Sequence, residues 1–131
     1  FRFISNALCR ALFAMPITLS QNVFFDYLWM DDFIRLLDHF IIHTPKYRTY
    51  NIGTGKQVDL LTIAKKVRTI TGKKLPIHVA KTGLKEEYTC DNSRLLEEMP
   101  GLPFTDLDET LQNLYVYYQK RKDLLDMSSL L

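Results

Sequence analysis

Apolar residues fall at Ile4, Ala7, Leu8, Ala11 and Leu12, the alternating three- and four-residue spacing that lines one face of a helix. This predicts a helix over 4–14, closed by Pro16, which lacks an N–H and disfavours helix at the residue before it. Ile17-Thr-Leu19 and Phe24 to Trp29 read as strands because they are β-branched and aromatic, with Ser20-Gln-Asn22 between them. Asp31 and Asp32 open a helix to His43, their carboxylates matching the positive end of the helix dipole. Pro45 breaks the chain, and Tyr47 to Ile52 is a third strand prediction.

Further along, Asp59 is the expected N-cap of a helix to Thr71, with Leu60, Ile63, Ala64 and Val67 facing inward and Gly72 ending it. Leu75 to Val79 reads as another short strand. Residues 81–91 read as a polar loop with a strand near Tyr88 to Cys90. Asn92 starts a short helix that stops at Pro100-Gly101. Thr105 begins the last helix, with Asp108 completing a variant capping box and Leu107, Leu111, Leu114 and Tyr118 on one stripe. Met127 to Leu131 is expected to be a disordered tail. The fold class is therefore mixed α/β, with about five helices and four to five short strands.

The 131 residues suit one domain, over 1–126, and the 47% apolar and 24% charged fractions are those of a soluble globular chain. A net charge of +2 argues against a nucleic-acid partner. No run approaches the about 20 apolar residues of a membrane helix, so no membrane partner is expected. Phe1 stands where an initiator Met would, which reads as a processed or truncated start. Cys9 and Cys90 have neither C-x-x-C spacing nor a disulfide framework, and read as thiols of a reducing cytoplasm.

The stretch Tyr50-Asn-Ile-Gly-Thr-Gly-Lys-Gln-Val58 has the outline of a phosphate cradle. A dinucleotide fingerprint needs a third glycine where Val58 stands, and an acidic residue about 20 positions on, where the chain has Gly72-Lys-Lys74. A P-loop would need glycine at position 50 and Ser or Thr at position 57, which are Tyr and Gln. Gly53 and Gly55 therefore read as a turn, and no cofactor-binding residue is assigned. Tyr118 and Lys122 have the Tyr-x-x-x-Lys spacing of a base with a lysine that lowers its pKa, but without a dinucleotide site to receive a hydride they read as a core face and a charged terminus. His39 and His43 could share a metal, yet no third ligand is marked, and histidines suit a last helical turn through the dipole alone. Lys65-Lys66, Lys73-Lys74 and Lys120-Arg-Lys122 read as solvated faces and ends, with Glu86, Glu87, Glu97 and Glu98 countering a phosphate-binding patch. Neither catalytic nor metal-binding residues are assigned.

The order of these pieces carries a resemblance. Phe25-Asp-Tyr-Leu-Trp-Met-Asp-Asp32 resembles the R-D-F-(I/V)-(H/Y)-V-D-D junction of extended short-chain dehydrogenases/reductases, the family of NAD-dependent nucleotide-sugar epimerases and dehydratases. Tyr50-Asn-Ile-Gly-Thr-Gly55 is similar to that family's Y-N-(I/L)-G-(T/S)-G. Gly83, Asp91-Asn-Ser-Arg94, the Pro-containing turn and the closing helix follow in order, and Met15-Pro-Ile-Thr-Leu19 resembles the earlier K-P-I-x-I element.

The resemblance implies the C-terminal, substrate-binding part of such an enzyme, with the Rossmann core, its NAD or NADP and its Ser/Thr-Tyr-Lys set all lying upstream. It implies a nucleotide-sugar substrate and the cofactor domain as partners, and no catalysis without that domain. It also implies that the strand resembling Tyr47 to Ile52 adds to the cofactor domain's sheet. Alone it would seek another strand, so association into a homo-oligomer is expected. One departure stands out: Phe25 occupies the position of the family's arginine, which often faces the diphosphate or ribose, and a phenyl ring cannot replace a cationic fork. Either the substrate lacks that contact or a lysine supplies the charge, Lys81 near the family's second basic position or Lys85 as its rival. Phe25, Lys81 and Lys85 are the substrate-binding residues on this reading. A small non-catalytic binding or interaction module with the same helix–strand order is the alternative.

Overall fold

Helix α1 (Phe3–Leu12) lies at the centre of the core, packed against helices α3 (Leu60–Thr71) and α5 (Leu107–Gln119). The structure is a computed structural model, and it describes residues 2–126 and 128. The expected tail, Met127 to Leu131, lies outside the described residues apart from Ser128.

Buried Ile4, Ala7, Leu8 and Ala11 of α1 meet Ile63, Ala64 and Val67 of α3 and Leu111 of α5, the stripes that the spacing predicts. A turn closes α1: Met15 N–H donates to Arg10 O at 2.8 Å and Arg10 Nη1 donates to Pro16 O at 3.0 Å. The Lys73 ammonium, from just past α3, donates to Ala11 O and Leu12 O at 2.7 and 3.0 Å. It caps the carbonyl end of α1, where Ala11 O also accepts from Ala14 N–H at 3.1 Å.

Strand β1 (Ile17–Asn22) carries Ile17 and Leu19 inward and Thr18 and Ser20 outward, the period-two alternation of a half-buried strand. It pairs in parallel with β4 (Ile77–Leu84), with Ile17 opposite Ile77 and Leu19 opposite Val79. A second pair, β2 (Phe24–Asp26) with β3 (Gln57–Asp59), is antiparallel and sets Phe25 opposite Val58. Asp59 then caps α3 as expected. Its carboxylate accepts from Thr62 N–H at 3.1 Å, Thr62 Oγ1 at 2.5 Å and Asn22 Nδ2 at 2.9 Å, while Asn22 Oδ1 accepts from Leu61 N–H at 2.9 Å. Burial pushes the Asp59 carboxyl up, but these donors outweigh it and hold the group below its ordinary value. Gly72, at φ 65°, ends α3 in the left-handed conformation.

Helix α2 (Met30–Ile42) is seated mainly through buried Asp32 and Leu36. Met30, Ile34, Leu37 and Ile41 form a stripe on its outer side, 41–80% exposed. Helix α4 (Ser93–Glu98) buries Leu95 and stops before a turn with Gly101 at φ 76°.

Five expectations change. Tyr47 to Ile52 forms no strand; side chains rather than a partner strand hold it. Strand β2 ends at Asp26 instead of Trp29, and β4 extends through residues 81–84, expected to be loop. The last helix starts at Leu107 with Asp106 as its cap, accepting from Asp108 N–H at 2.8 Å, because Thr105 is committed to Asp32. That helix ends at Gln119, so Tyr118 and Lys122 do not share one helix. Lys122 instead lies over the Phe13 ring at 5.3 Å.

Candidate functional site

The pairing of β1 with β4 continues past the named strands. Lys85 N–H donates to Asn22 O at 3.0 Å, Tyr88 N–H to Phe24 O at 2.9 Å, and Asp26 N–H to Tyr88 O at 3.3 Å. Residues 17–26 and 77–88 therefore run side by side as one ribbon, with Phe25 and Tyr88 forming an isolated parallel bridge. Directly paired positions bring their side chains together. The two rings stack, 5.2 Å between centroids and 13° between planes, and Phe25 also leans on Tyr27 at 5.8 Å. Phe25 is half-buried, whereas Tyr88 is 54% exposed.

Lys81 and Lys85, both exposed, lie on this same ribbon, Lys81 opposite Gln21 and Lys85 just beyond β4. All three substrate-binding residues expected from the sequence thus share one ribbon. Tyr88 was missed as a companion of Phe25, because only the pairing of distant segments places one ring over the other.

The glycine turn has a role different from a phosphate cradle. Asp26, at the end of β2, accepts from Thr54 Oγ1 at 2.5 Å and from Gly55 N–H at 2.8 Å. Asn92 Nδ2 donates to Gly53 O at 3.0 Å and holds the turn from the far side. A Cβ at position 53 would stand 2.7 Å from both Asp26 Oδ2 and Cys90 Sγ, so glycine is required for close approach. The amide that a phosphate would use already binds the protein's own carboxylate, whose charge would repel a second anion.

Beside this turn lies a cleft of about 200 Å³, with Tyr27, Thr54 and Lys56 on one side and Phe104, Asp106 and Thr110 on the other. Burial pushes the Tyr27 phenol up to about 12. Neither Phe25 nor Lys81 nor Lys85 lines it. Its walls come from three remote segments, which is why no local motif marks it.

A polar latch fastens the segment after α2 to α4. Tyr50 OH donates to Glu98 Oε2 at 2.7 Å, Lys46 N–H donates to the same oxygen at 3.0 Å, and the Tyr47 hydroxyl donates to Glu97. Asn51 Nδ2 donates to Asp91 O at 3.0 Å. The Tyr50 bond chiefly holds the Glu98 carboxyl below its ordinary value, and the Glu97 bond raises the Tyr47 phenol. His39 Nε2 lies 3.6 Å from Glu98 Oε1, and its ring stacks on His43 at 4.4 Å. Among the described residues no three potential ligands gather around a metal position, and no helix is long and apolar enough to cross a membrane.

No protein-family model and no curated protein matches this sequence. Solved structures do match its fold. UDP-glucuronic acid 4-epimerase from Bacillus cereus, in complex with NAD, superposes with a TM-score of 0.73 at 20% identity, over 91% of this chain and 39% of its own. The Bordetella bronchiseptica enzyme WbmG, in complex with NAD and UDP, gives 0.75 at 19% identity over 92% and 38%. dTDP-glucose 4,6-dehydratase from Bacillus anthracis, in complex with NAD, gives 0.75 at 20% identity over 99% and 42%. The fold is thus that of the C-terminal part of extended short-chain dehydrogenase/reductase structures, and the chain spans about two fifths of the length of those it matches.

Proposed function

We propose that this chain is the substrate-holding part of an NAD- or NADP-dependent nucleotide-sugar epimerase, dehydratase or reductase, and that a cofactor-carrying domain completes it. The observation that carries this reading is the match of at least nine tenths of the chain to about two fifths of enzymes that act on nucleotide sugars by name. In this reading residues 1–126 are the substrate domain, and Phe25, Lys81 and Lys85 face the nucleotide sugar. The hydride chemistry belongs to the cofactor domain, so the chain alone is inactive. The glycine turn supports that division, because Asp26 already occupies it. The exposed stripe of α2 supports a covering partner, either that domain or a second copy. Cys9 and Cys90 are both free, which suits a reducing cytoplasm.

Calorimetric titration of the full chain with UDP-glucose and with NAD tests the assignment. Weak binding of the nucleotide sugar and none of NAD is expected. Tight NAD binding would overturn the division of labour, and indifference to both ligands would favour a non-catalytic interaction module.

A further inference from the structure

We propose that the Phe25–Tyr88 stack is a ring-binding platform, receiving a ring of the ligand on the open face of Tyr88. This rests on the nucleotide-sugar reading above and specifies how such a ligand is gripped. Phe25 backs Tyr88 at 5.2 Å in a near-parallel stack, and Tyr88 remains 54% exposed. Backbone bonds from Tyr88 N–H to Phe24 O and from Asp26 N–H to Tyr88 O fix that position before any ligand arrives. A plate held this way loses little freedom on binding.

The charge distribution points the same way. With phenyl at position 25, no cation stands beside the platform on β2, so what lies against the stack is a ring rather than a phosphate. The nearest lysine along the ribbon is Lys85, three residues before Tyr88, an odd spacing that in extended chain sets the two side chains on opposite faces. Glu86 and Glu87 lie between them, both exposed, and Glu87 is drawn toward Thr89, whose hydroxyl donates to it at 3.3 Å. These carboxylates weaken the local pull on an anion, which leaves stacking to carry more of the recognition. A nucleotide sugar offers the platform two rings: the planar base, separated from the diphosphate by the ribose, and the puckered pyranose, joined to the diphosphate through its anomeric oxygen.

The test is NMR titration of the full chain with UDP-glucose and dTDP-glucose, comparing the wild type with Tyr88→Ala and Tyr88→Phe. Tyr88→Ala is expected to weaken binding about ten- to a hundredfold, and Tyr88→Phe to stay within about twofold, because stacking needs the ring and not the hydroxyl. Uridine, methyl glucoside and pyrophosphate serve as separate probes: whichever of the first two shifts the Tyr88 ring signals identifies the stacked ring. Equal nucleotide-sugar affinity in the wild type and Tyr88→Ala overturns the platform and leaves the functional reading standing. So does a Tyr88 response to pyrophosphate alone. Binding of neither nucleotide sugar overturns both.

Discussion

Asp32 accepts both the backbone N–H and the hydroxyl of Thr105, each at 2.8 Å, joining the first turn of α2 to the approach of α5 across 73 residues. The carboxylate is 2% exposed and is also paired with Arg35, which reaches on to Pro103 O at 3.0 Å. Removing it leaves the half-buried Thr105 N–H and hydroxyl without their acceptor. Asp32→Ala is therefore expected to cost about 1–3 kcal/mol in urea unfolding. A cost below about 0.5 kcal/mol, typical of a neutral surface change, would show that the link contributes little.

Gly53 is expected to tolerate no side chain. Gly53→Ala should destabilise by about 1–3 kcal/mol, because the new methyl meets Asp26 and Cys90 at once. Cys90→Ala makes room on one side, so Gly53→Ala/Cys90→Ala should be more stable than the sum of the single changes predicts. Strict additivity in that double-mutant cycle would mean the two residues do not touch.

Acid should loosen the latch between Glu98 and the segment after α2. The folded Glu98 carboxyl sits below its ordinary value of 4.5, through the Tyr50 hydroxyl first and the Lys46 amide next. Its contribution to stability is therefore present above 4.5 and is lost as the pH falls through the lower folded value. Tyr50→Phe and Glu98→Gln should both flatten the acid limb of a urea-midpoint profile. A limb as steep as the wild type's in both variants would assign acid lability elsewhere.

The α2 stripe gives a prediction about association. Ile34→Lys and Ile41→Lys replace exposed residues, so each should change stability by no more than about 0.5 kcal/mol. Light scattering should show a concentration-dependent mass for the wild type and a smaller one for these variants. A wild type that stays monomeric at high concentration would remove self-association from the roles of this face.

The elements most legible in the sequence are those whose signals are local. The stripe of α1, the Asp59 cap, the Gly72 stop and the alternation of Ile17 and Leu19 are written within a turn or two of chain. Tyr47 to Ile52 was not legible, because β-favouring residues make a strand only when a neighbouring strand supplies hydrogen bonds, and here Glu97, Glu98 and Asp91 take the segment's polar groups instead. Thr105 has the chemistry of a helix cap, and only the approach of Asp32 from α2 commits it elsewhere and passes the capping to Asp106.

The candidate site divides in the same manner. By itself the sequence determined that the glycine stretch lacks the third glycine and acid of a dinucleotide site. The tertiary structure decided that Asp26 fills the glycine turn, that residues 85–88 extend the ribbon, and that Tyr88 lies flat on Phe25. Those relationships join positions tens of residues apart, and the free energy that fixes them comes from pairing and burial, which no local window of sequence contains.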